Sequence, residues 1–193
     1  GPMFRYERPQ KGRYRQFHQI NAERLGESGP FSDAETLQMA YELARELGLK
    51  GLAMEVNSLG CEACREEFKK ALQAFLVKQA DRLCADCARR MTTNPLRVLD
   101  CKVVSCKQAA EGAPVIEDYL CNECRDHYNQ VLSYLDSFGV PYTKNPSLVR
   151  GLDYYTRTTF EITARGLGSQ NAIAGGGRYD NLVKVLGGPD TPG

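Results

Sequence analysis

The sequence is short of the features that would mark a membrane protein or a general nucleic-acid binder. Its 193 residues contain no apolar run near the roughly 18 residues of a membrane span, and no signal-peptide pattern is visible. Lysine and arginine total 25 and acidic residues 24, a formal net charge of +1. Any anion site must therefore be local and not a property of the whole surface. Hydrophobic residues make up 42%, enough for one sizeable core or two small ones.

Histidine is scarce as well, since only His18 and His127 are present. Neither lies in a pattern that combines a nucleophile with a base, so no acid–base role is predicted for either. His127 lies close to a cysteine pair and is a possible metal ligand. The cysteines alone, however, supply complete ligand sets.

Cysteine is absent from both ends of the chain, because all eight lie between Cys61 and Cys124. They form four close pairs: Cys61 with Cys64, Cys84 with Cys87, Cys101 with Cys106, and Cys121 with Cys124. Two such pairs can hold one zinc ion at zinc–sulfur distances of about 2.3 Å, so the eight thiols predict one or two structural zinc ions. Free buried thiols and disulfides are the alternatives, and a reducing cytosol disfavours disulfides.

The first and last pairs share the pattern C-x2-C-R-x2-[FY], in residues 61–68 and 121–128. Each copy predicts a metal knuckle that leads into a helix. If the first helix runs about 25 Å outward and the last returns from its far end, the second pair should share an ion with the fourth. The first pair would then share an ion with the third. Sharing between pairs that follow each other in sequence remains open.

The remaining pattern predicts a sheet domain interrupted by an insertion. Residues 3–8 and 12–25 are expected to form two antiparallel strands around a turn at 9–12. The capping box at 32–35 predicts a helix that begins near Asp33 and ends at Gly48. Composition changes after residue 59. We therefore predict a catalytic domain in two parts, 1–59 and 139–193, around a small, mainly helical, cysteine-rich insertion at 60–138.

The first eighteen residues carry the densest chemical signal. Five basic residues fall within the eleven residues 5–15, interleaved with Phe4, Tyr6, Tyr14 and Phe17. Arginine suits phosphate because its planar guanidinium donates two parallel hydrogen bonds. The pattern indicates a phosphate-binding hairpin, with a solvated charged hairpin as the alternative.

Three stretches resemble signatures of the histidyl-tRNA synthetases, a family of class II aminoacyl-tRNA synthetases. The segment 1–18 resembles motif 2, LVRGLDYY at 148–155 resembles the histidine-binding signature, and AGGGRYD at 174–180 resembles the second histidine-binding segment. The resemblance covers essentially the whole chain. It implies an α/β (α+β) fold of the class II type, an antiparallel sheet with flanking helices around the inserted domain.

The resemblance also implies an ATP site and two catalytic arginines. Arg5 matches the residue that holds the α-phosphate and the carboxylate, and Arg150 matches the arginine that faces it across that phosphate. Fixed guanidinium groups offset the charge that develops there. Glu7 matches the residue that positions adenine. Arg13 matches the residue that contacts the terminal phosphates, and Phe17 matches the ring that stacks on adenine. Ion pairing for Glu7 and core packing for Phe17 are the alternatives.

Histidine binding is implied for Gln19, Glu23, Tyr155 and Tyr179, together with Arg150. Polar groups are needed because an apolar pocket discriminates poorly between side chains. The glycines at 175–177 would let the backbone approach the ligand closely.

By resemblance, the activity is that of a cytoplasmic, homodimeric histidine–tRNA ligase. It forms histidyl-adenylate from L-histidine and ATP with Mg²⁺ and passes the histidyl group to tRNA(His). Motif 1, motif 3 and the anticodon-binding domain have no counterpart in the sequence, so weak activity or none is expected from this chain alone.

Two other functions compete with that of the ligase. One is a synthetase-like regulatory subunit of the ATP phosphoribosyltransferase of histidine biosynthesis, against which the intact Arg5, Arg13 and Arg150 speak. The other makes the insertion a module for the tRNA acceptor arm. Its phosphate contacts would come from seven basic residues: Lys69, Lys70, Lys78, Arg82, Arg89, Arg90 and Arg97.

Overall fold

The computed structural model describes residues 1–9, 13–149, 154–167 and 171–193. In chain order the strands are β1 (Pro2–Phe4), β2 (Gln16–His18), β3 (Ala53–Ser58), β4 (Thr143–Lys144), β5 (Thr156–Thr163) and β6 (Ala172–Arg178). The helices are α1 (Pro30–Glu46), α2 (Glu62–Val77), α3 (Ala85–Thr93), α4 (Leu96–Leu99), α5 (Val104–Ala109), α6 (Asn122–Phe138) and α7 (Leu182–Val185). Short 3₁₀ helices cover Ala80–Arg82 and Ile116–Tyr119.

The main sheet has four strands in the order β4-β3-β5-β6. All neighbours are antiparallel except β3 and β4, which are parallel. Val56 of β3 lies opposite Phe160 of β5, and both are buried. The predicted fold class, an antiparallel sheet flanked by helices, is confirmed.

The N-terminal hairpin is separate from that sheet. β1 and β2 pair antiparallel with Met3 opposite Phe17, and the Arg5 N–H donates to the Arg15 carbonyl at 2.8 Å. The strands are shorter than the predicted 3–8 and 12–25. Side chains such as Tyr6 lie in solvent, so little core packing supports a longer ladder.

Helix α1 begins three residues earlier than the capping box predicts. Gly29 is the N-cap, Pro30 occupies the first turn, and no side chain caps the helix. Proline is suited to this position because it has no N–H to satisfy and a helical φ. Ser32 therefore lies inside the helix, where its hydroxyl donates to the Gly29 carbonyl at 3.0 Å. The predicted end is right, since Gly48 follows the helix with φ +78°.

The helical insertion shares a core with the sheet. Helix α6 packs on α1 and on β5, whereas α2 packs on the second 3₁₀ helix. One buried apolar cluster extends from Leu37 and Val56 to Phe68 and Leu72 of α2. The boundaries at 60 and 138 stay a prediction. Across the described ranges, no helix has the length and apolar character to cross a membrane.

Candidate functional site

In the N-terminal hairpin, arginines hold the Glu7 carboxylate. Arg13 donates to it at 2.6 Å, and the Arg5 Nε lies 3.9 Å from the same oxygen. The Arg15 Nε donates to the Glu7 backbone carbonyl at 3.0 Å. Two predicted phosphate contacts and the predicted adenine contact therefore lie within one small group of charges.

The predicted stacking residue lies beside the same group. The Arg5 guanidinium carbon is 4.4 Å from the centre of the Phe17 ring, a cation–π distance. Phe17 is only half-buried. The hairpin thus places fixed cations and an aromatic face side by side.

Three of the predicted histidine contacts also form a cluster. The Tyr179 hydroxyl donates to the Glu23 carboxylate. The Tyr154 ring lies 4.7 Å from the Tyr155 ring and 6.2 Å from the Tyr179 ring, measured between centroids. Burial and the Glu23 carboxylate raise the pKa of Tyr179. The phenol therefore stays protonated at neutral pH and remains a hydrogen-bond donor.

Gly177 lets β6 approach β5 beneath this cluster. A Cβ at that position would lie 2.5 Å from the Thr158 carbonyl oxygen and 3.1 Å from the Tyr155 ring. Only glycine fits there without a shift of the backbone. The glycine-rich segment therefore sets the spacing of β5, which Tyr155 directly precedes, and β6, which Tyr179 directly follows.

One predicted site residue among the described ones, Gln19, lies apart from these groups. Gln19 is exposed, and its side-chain amide donates to Asn21. Arg150, predicted to face Arg5, lies outside the described residues. The group formed by Tyr154, Tyr155, Tyr179 and Glu23 is called the tyrosine cluster below.

The structure contains a buried polar network that the sequence pattern does not predict. Asp33 of α1 accepts hydrogen bonds from His127 of α6 at 2.8 Å, from Thr158 of β5 at 2.5 Å and from Arg178 of β6 at 2.6 Å. Burial alone would raise the pKa of Asp33, but hydrogen bonding from His127 and the charge of Arg178 hold that pKa below its usual value. The carboxylate thus joins four elements in one charged centre.

This network reaches the tyrosine cluster through Arg178, which directly precedes Tyr179. The Arg178 Nε lies 3.1 Å from the Asp180 carboxylate, and its side chain is only 2% exposed. The sequence pattern places Asp33 in a capping box. One feature of the sequence could have indicated that Asp33 is buried. It lies one helical turn before Leu37 and therefore on the same face of the helix.

The eight cysteines gather into two quartets. The outer quartet consists of Cys61, Cys64, Cys121 and Cys124, and the inner quartet of Cys84, Cys87, Cys101 and Cys106. Within each quartet all four sulfur atoms lie within 4.8 Å of one another. All eight are free thiols.

The predicted sharing of pairs is therefore wrong, because the first pair meets the fourth and the second meets the third. Cys61 and Cys121 are the N-caps of α2 and α6. Both helices thus begin at the same place beside the sheet. The segment 78–120 runs out and back between them, so α6 does not start at the far end of α2.

The quartets suit a tetrahedral metal ion. Four zinc–sulfur bonds of about 2.3 Å require sulfurs about 3.8 Å apart, and Cys61 and Cys64 are 3.4 Å apart. The Cys121 N–H points at the Cys64 sulfur at 3.2 Å, and the Cys84 N–H at the Cys106 sulfur at 3.1 Å. Such donors stabilise thiolates, the form that binds metal.

One thiol of each quartet has a lowered pKa. The pKa of Cys84 falls to about 7, chiefly through a backbone hydrogen bond from Cys87. At Cys61 burial opposes ionisation, but hydrogen bonds from Cys64 bring its pKa to about 7. Burial raises the pKa of the deeper Cys87 and Cys124. A bound cation would ionise these thiols as well.

Comparison with known proteins agrees with the motifs. The histidyl-tRNA synthetase family model matches residues 1–193. The histidine–tRNA ligase of Desulfatibacillum aliphaticivorans is 56% identical over 192 residues, a match that covers 100% of this chain and 46% of that protein. The chain thus spans about half the length of this curated relative.

Solved structures give the same result. The apo histidyl-tRNA synthetase of Staphylococcus aureus superposes with a TM-score of 0.74 at 39% identity, over 100% of this chain and 45% of that one. An ATP phosphoribosyltransferase regulatory subunit/histidyl-tRNA synthetase from Bacillus halodurans shares the fold alone, with a TM-score of 0.54 at 16% identity over 87% of this chain and 47% of that one. The motifs, the sheet and the match over all 193 residues together show that this chain belongs to the histidyl-tRNA synthetase family.

Proposed function

We propose that this chain carries the histidine pocket and the α-phosphate contacts of a histidine–tRNA ligase. The reaction joins L-histidine to ATP as histidyl-adenylate, releases pyrophosphate, and transfers the histidyl group to tRNA(His). The observation that carries the proposal is the tyrosine cluster, in which the Tyr179 hydroxyl donates to the Glu23 carboxylate, in a chain of this family.

Histidine recognition falls to polar groups at the tyrosine cluster. The Glu23 carboxylate would accept from a ring N–H or from the substrate ammonium, while the Tyr179 hydroxyl shares that carboxylate. A site with paired donors and acceptors rejects amino acids that leave those groups unpaired. Tyr155 closes the pocket from β5, and Gln19 and Arg150 complete the proposed set.

ATP would bind along the hairpin. The Arg5 guanidinium would contact the α-phosphate and the Arg13 guanidinium the terminal phosphates. Glu7 would position adenine, and the Phe17 ring would stack on it. Phosphoryl-type reactions depend mainly on position and on fixed charge. Arg13 and Glu7 pair at 2.6 Å, so we expect nucleotide binding to exchange this ion pair for contacts with the phosphates and adenine. Mg²⁺ would neutralise part of the phosphate charge.

As part of the same proposal, each cysteine quartet holds one structural zinc ion. The support is the donor set itself: four thiols within 4.8 Å in each case, of which at least one ionises near neutral pH. Zinc prefers this environment, and closed four-sulfur sites are structural.

The proposed macromolecular partners are tRNA(His) and a second copy of the chain in a homodimer. The insertion would assist with the tRNA acceptor arm. Lys70 and Arg89 pair with the neighbouring acidic Glu67 and Asp86 at 2.9 and 2.7 Å. These pairs reduce the positive field of the surface, so we assign the insertion a supporting part in tRNA binding.

The test is calorimetric titration of L-histidine into this chain with ATP present, with another amino acid as the comparison. We expect selective binding that Glu23→Ala abolishes. The matched control is Glu111→Ala, which removes an exposed glutamate of the insertion. Equal binding of histidine and the other amino acid, or unchanged binding in Glu23→Ala, would contradict the proposal.

A further inference from the structure

The outer quartet lies at a junction that the inner quartet does not occupy. Its four cysteines cap and begin α2 and α6, the two helices that connect the insertion to the sheet. The inner quartet lies entirely within residues 84–106, between those helices. Both quartets consist of four cysteines. The outer quartet connects the insertion to the sheet, whereas the inner quartet connects segments within the insertion.

The first residues of β5 are bonded to both of these helix starts. The Arg157 N–H donates to the Gly60 carbonyl at 2.9 Å, and the Leu59 N–H donates to the Arg157 carbonyl at 2.6 Å. The Arg157 guanidinium pairs with the Glu123 carboxylate in the first turn of α6. Arg65, in the first turn of α2, donates to the Tyr155 carbonyl at 2.8 Å. Residues 155–157 are therefore held from two sides by the segments that carry the outer quartet.

The backbone at this point needs external support. Arg157 has φ +45°, a left-handed conformation that costs energy for any residue with a side chain. The pairing between β5 and β6 also shifts register between Thr156 and Thr159. The ladder is thus interrupted where the strand leaves the tyrosine cluster, and contacts outside the sheet must hold the chain there.

The outer quartet itself leaves little room between its parts. A Cβ at Gly60 would lie 2.6 Å from the Cys64 Cβ and 3.1 Å from the Leu120 side chain. The Cys121 N–H already points at the Cys64 sulfur at 3.2 Å. A cation bonded to all four sulfurs would lock the starts of α2 and α6 together, and with them Gly60, Arg65 and Glu123.

We propose that a zinc ion at the outer quartet acts as a clamp that positions the start of β5, and with it Tyr155, for histidine binding. The inner zinc ion stabilises the insertion and leaves β5 unaffected. This inference rests on the proposed function for its link to histidine. The clamp itself is tested independently of any substrate.

The experiment compares Cys121→Ser in the outer quartet with Cys84→Ser in the inner one. Elemental analysis of the purified chain gives the zinc content, and hydrogen–deuterium exchange gives the protection of peptides across 154–163. We expect each variant to lose one of two zinc ions. Only Cys121→Ser should lose protection at the start of β5, and its histidine affinity should fall by about tenfold or more.

A second variant tests the same positioning of β5 in case Cys121→Ser does not fold. Glu123→Gln breaks the pair with Arg157 and leaves all cysteines in place, so exchange should quicken at the start of β5 with zinc content unchanged. Glu62→Gln, in the other knuckle, is the control and should match the wild type. The clamp is overturned if the chain binds no zinc, or if outer and inner variants exchange alike at β5. Loss of protection in Cys121→Ser alone, together with no histidine binding by the wild type, would support the clamp and count against the proposed function only.

Discussion

Asp33 is a single residue whose charge is used by three other elements. Its side chain is 6% exposed and lies against Arg178, which is 2% exposed. Removing one partner of a buried ion pair leaves the other charge uncompensated, which costs more than the net worth of the pair. A one-atom change at Asp33 should therefore have a large effect on stability.

We predict that Asp33→Asn lowers the free energy of unfolding by about 3 kcal/mol. The variant keeps the shape of the side chain but removes the charge opposite Arg178. Urea unfolding followed by circular dichroism measures the change. Asp81→Asn, at an exposed position, should stay within about 0.5 kcal/mol of the wild type. Equal stabilities of the two variants would contradict the buried ion pair.

The same residue makes a contribution to stability that depends on pH, with a sign set by the direction of its pKa shift. The folded-state pKa of Asp33 lies below its usual value of 3.8, so its stabilisation is complete above that value and is lost as the pH falls through the folded pKa. The stability difference between wild type and Asp33→Asn should be constant near neutral pH and shrink on acidification below about pH 4. A difference that grew with acid would contradict this assignment.

Strands β5 and β6 form the element on which the tyrosine cluster depends. They carry Tyr155 and Tyr179 at their ends, and Gly177 sets how closely they approach. Gly176 is the natural comparison, because a Cβ there would meet only the Phe160 ring, at 3.1 Å. A ring can turn aside, whereas the Thr158 backbone cannot.

We predict that Gly177→Ala destabilises the chain by about 2 kcal/mol and weakens histidine binding. The added methyl group would push β5 from β6 and separate the two tyrosines. Gly176→Ala should cost less and retain binding. Thermal unfolding and calorimetric titration measure the two effects. The prediction fails if Gly176→Ala proves the more damaging of the pair.

At the scale of the whole molecule, the path of the chain decides which cysteines come together in one quartet. Residues 78–120 leave the sheet and return, so that α6 begins beside α2. This path makes the outer quartet from segments about 60 residues apart, as the contact between the Cys121 N–H and the Cys64 sulfur indicates. The inner quartet closes within that excursion.

Double variants test this arrangement by metal content alone. We predict that Cys61→Ser with Cys121→Ser keeps one zinc ion per chain, because both residues belong to the outer quartet. Cys61→Ser with Cys101→Ser should keep none, because each quartet is broken. Native mass spectrometry counts the ions. The reverse result would restore the sharing of pairs that the helix-length argument favoured.

Local chemistry was readable from the sequence because it depends on residue type and spacing. The hairpin, the helix end at Gly48, the knuckles and the family motifs are all local patterns. The start of α1 could not be predicted in this way, because Pro30 occupies the first turn and the helix begins before the Ser32 capping box. Spacing alone could not show that Ser32 and Asp33 face inward.

Contacts between segments that are distant in the sequence were decided only by the tertiary structure. The Asp33 network joins residues up to 145 positions apart, and the partners of each cysteine pair depend on where α6 begins. Short-range propensity carries no information about such contacts, since they follow from how apolar faces pack. The sequence by itself determined the family and predicted the cysteine ligands and the substrate-facing residues, while packing decided which of those residues meet.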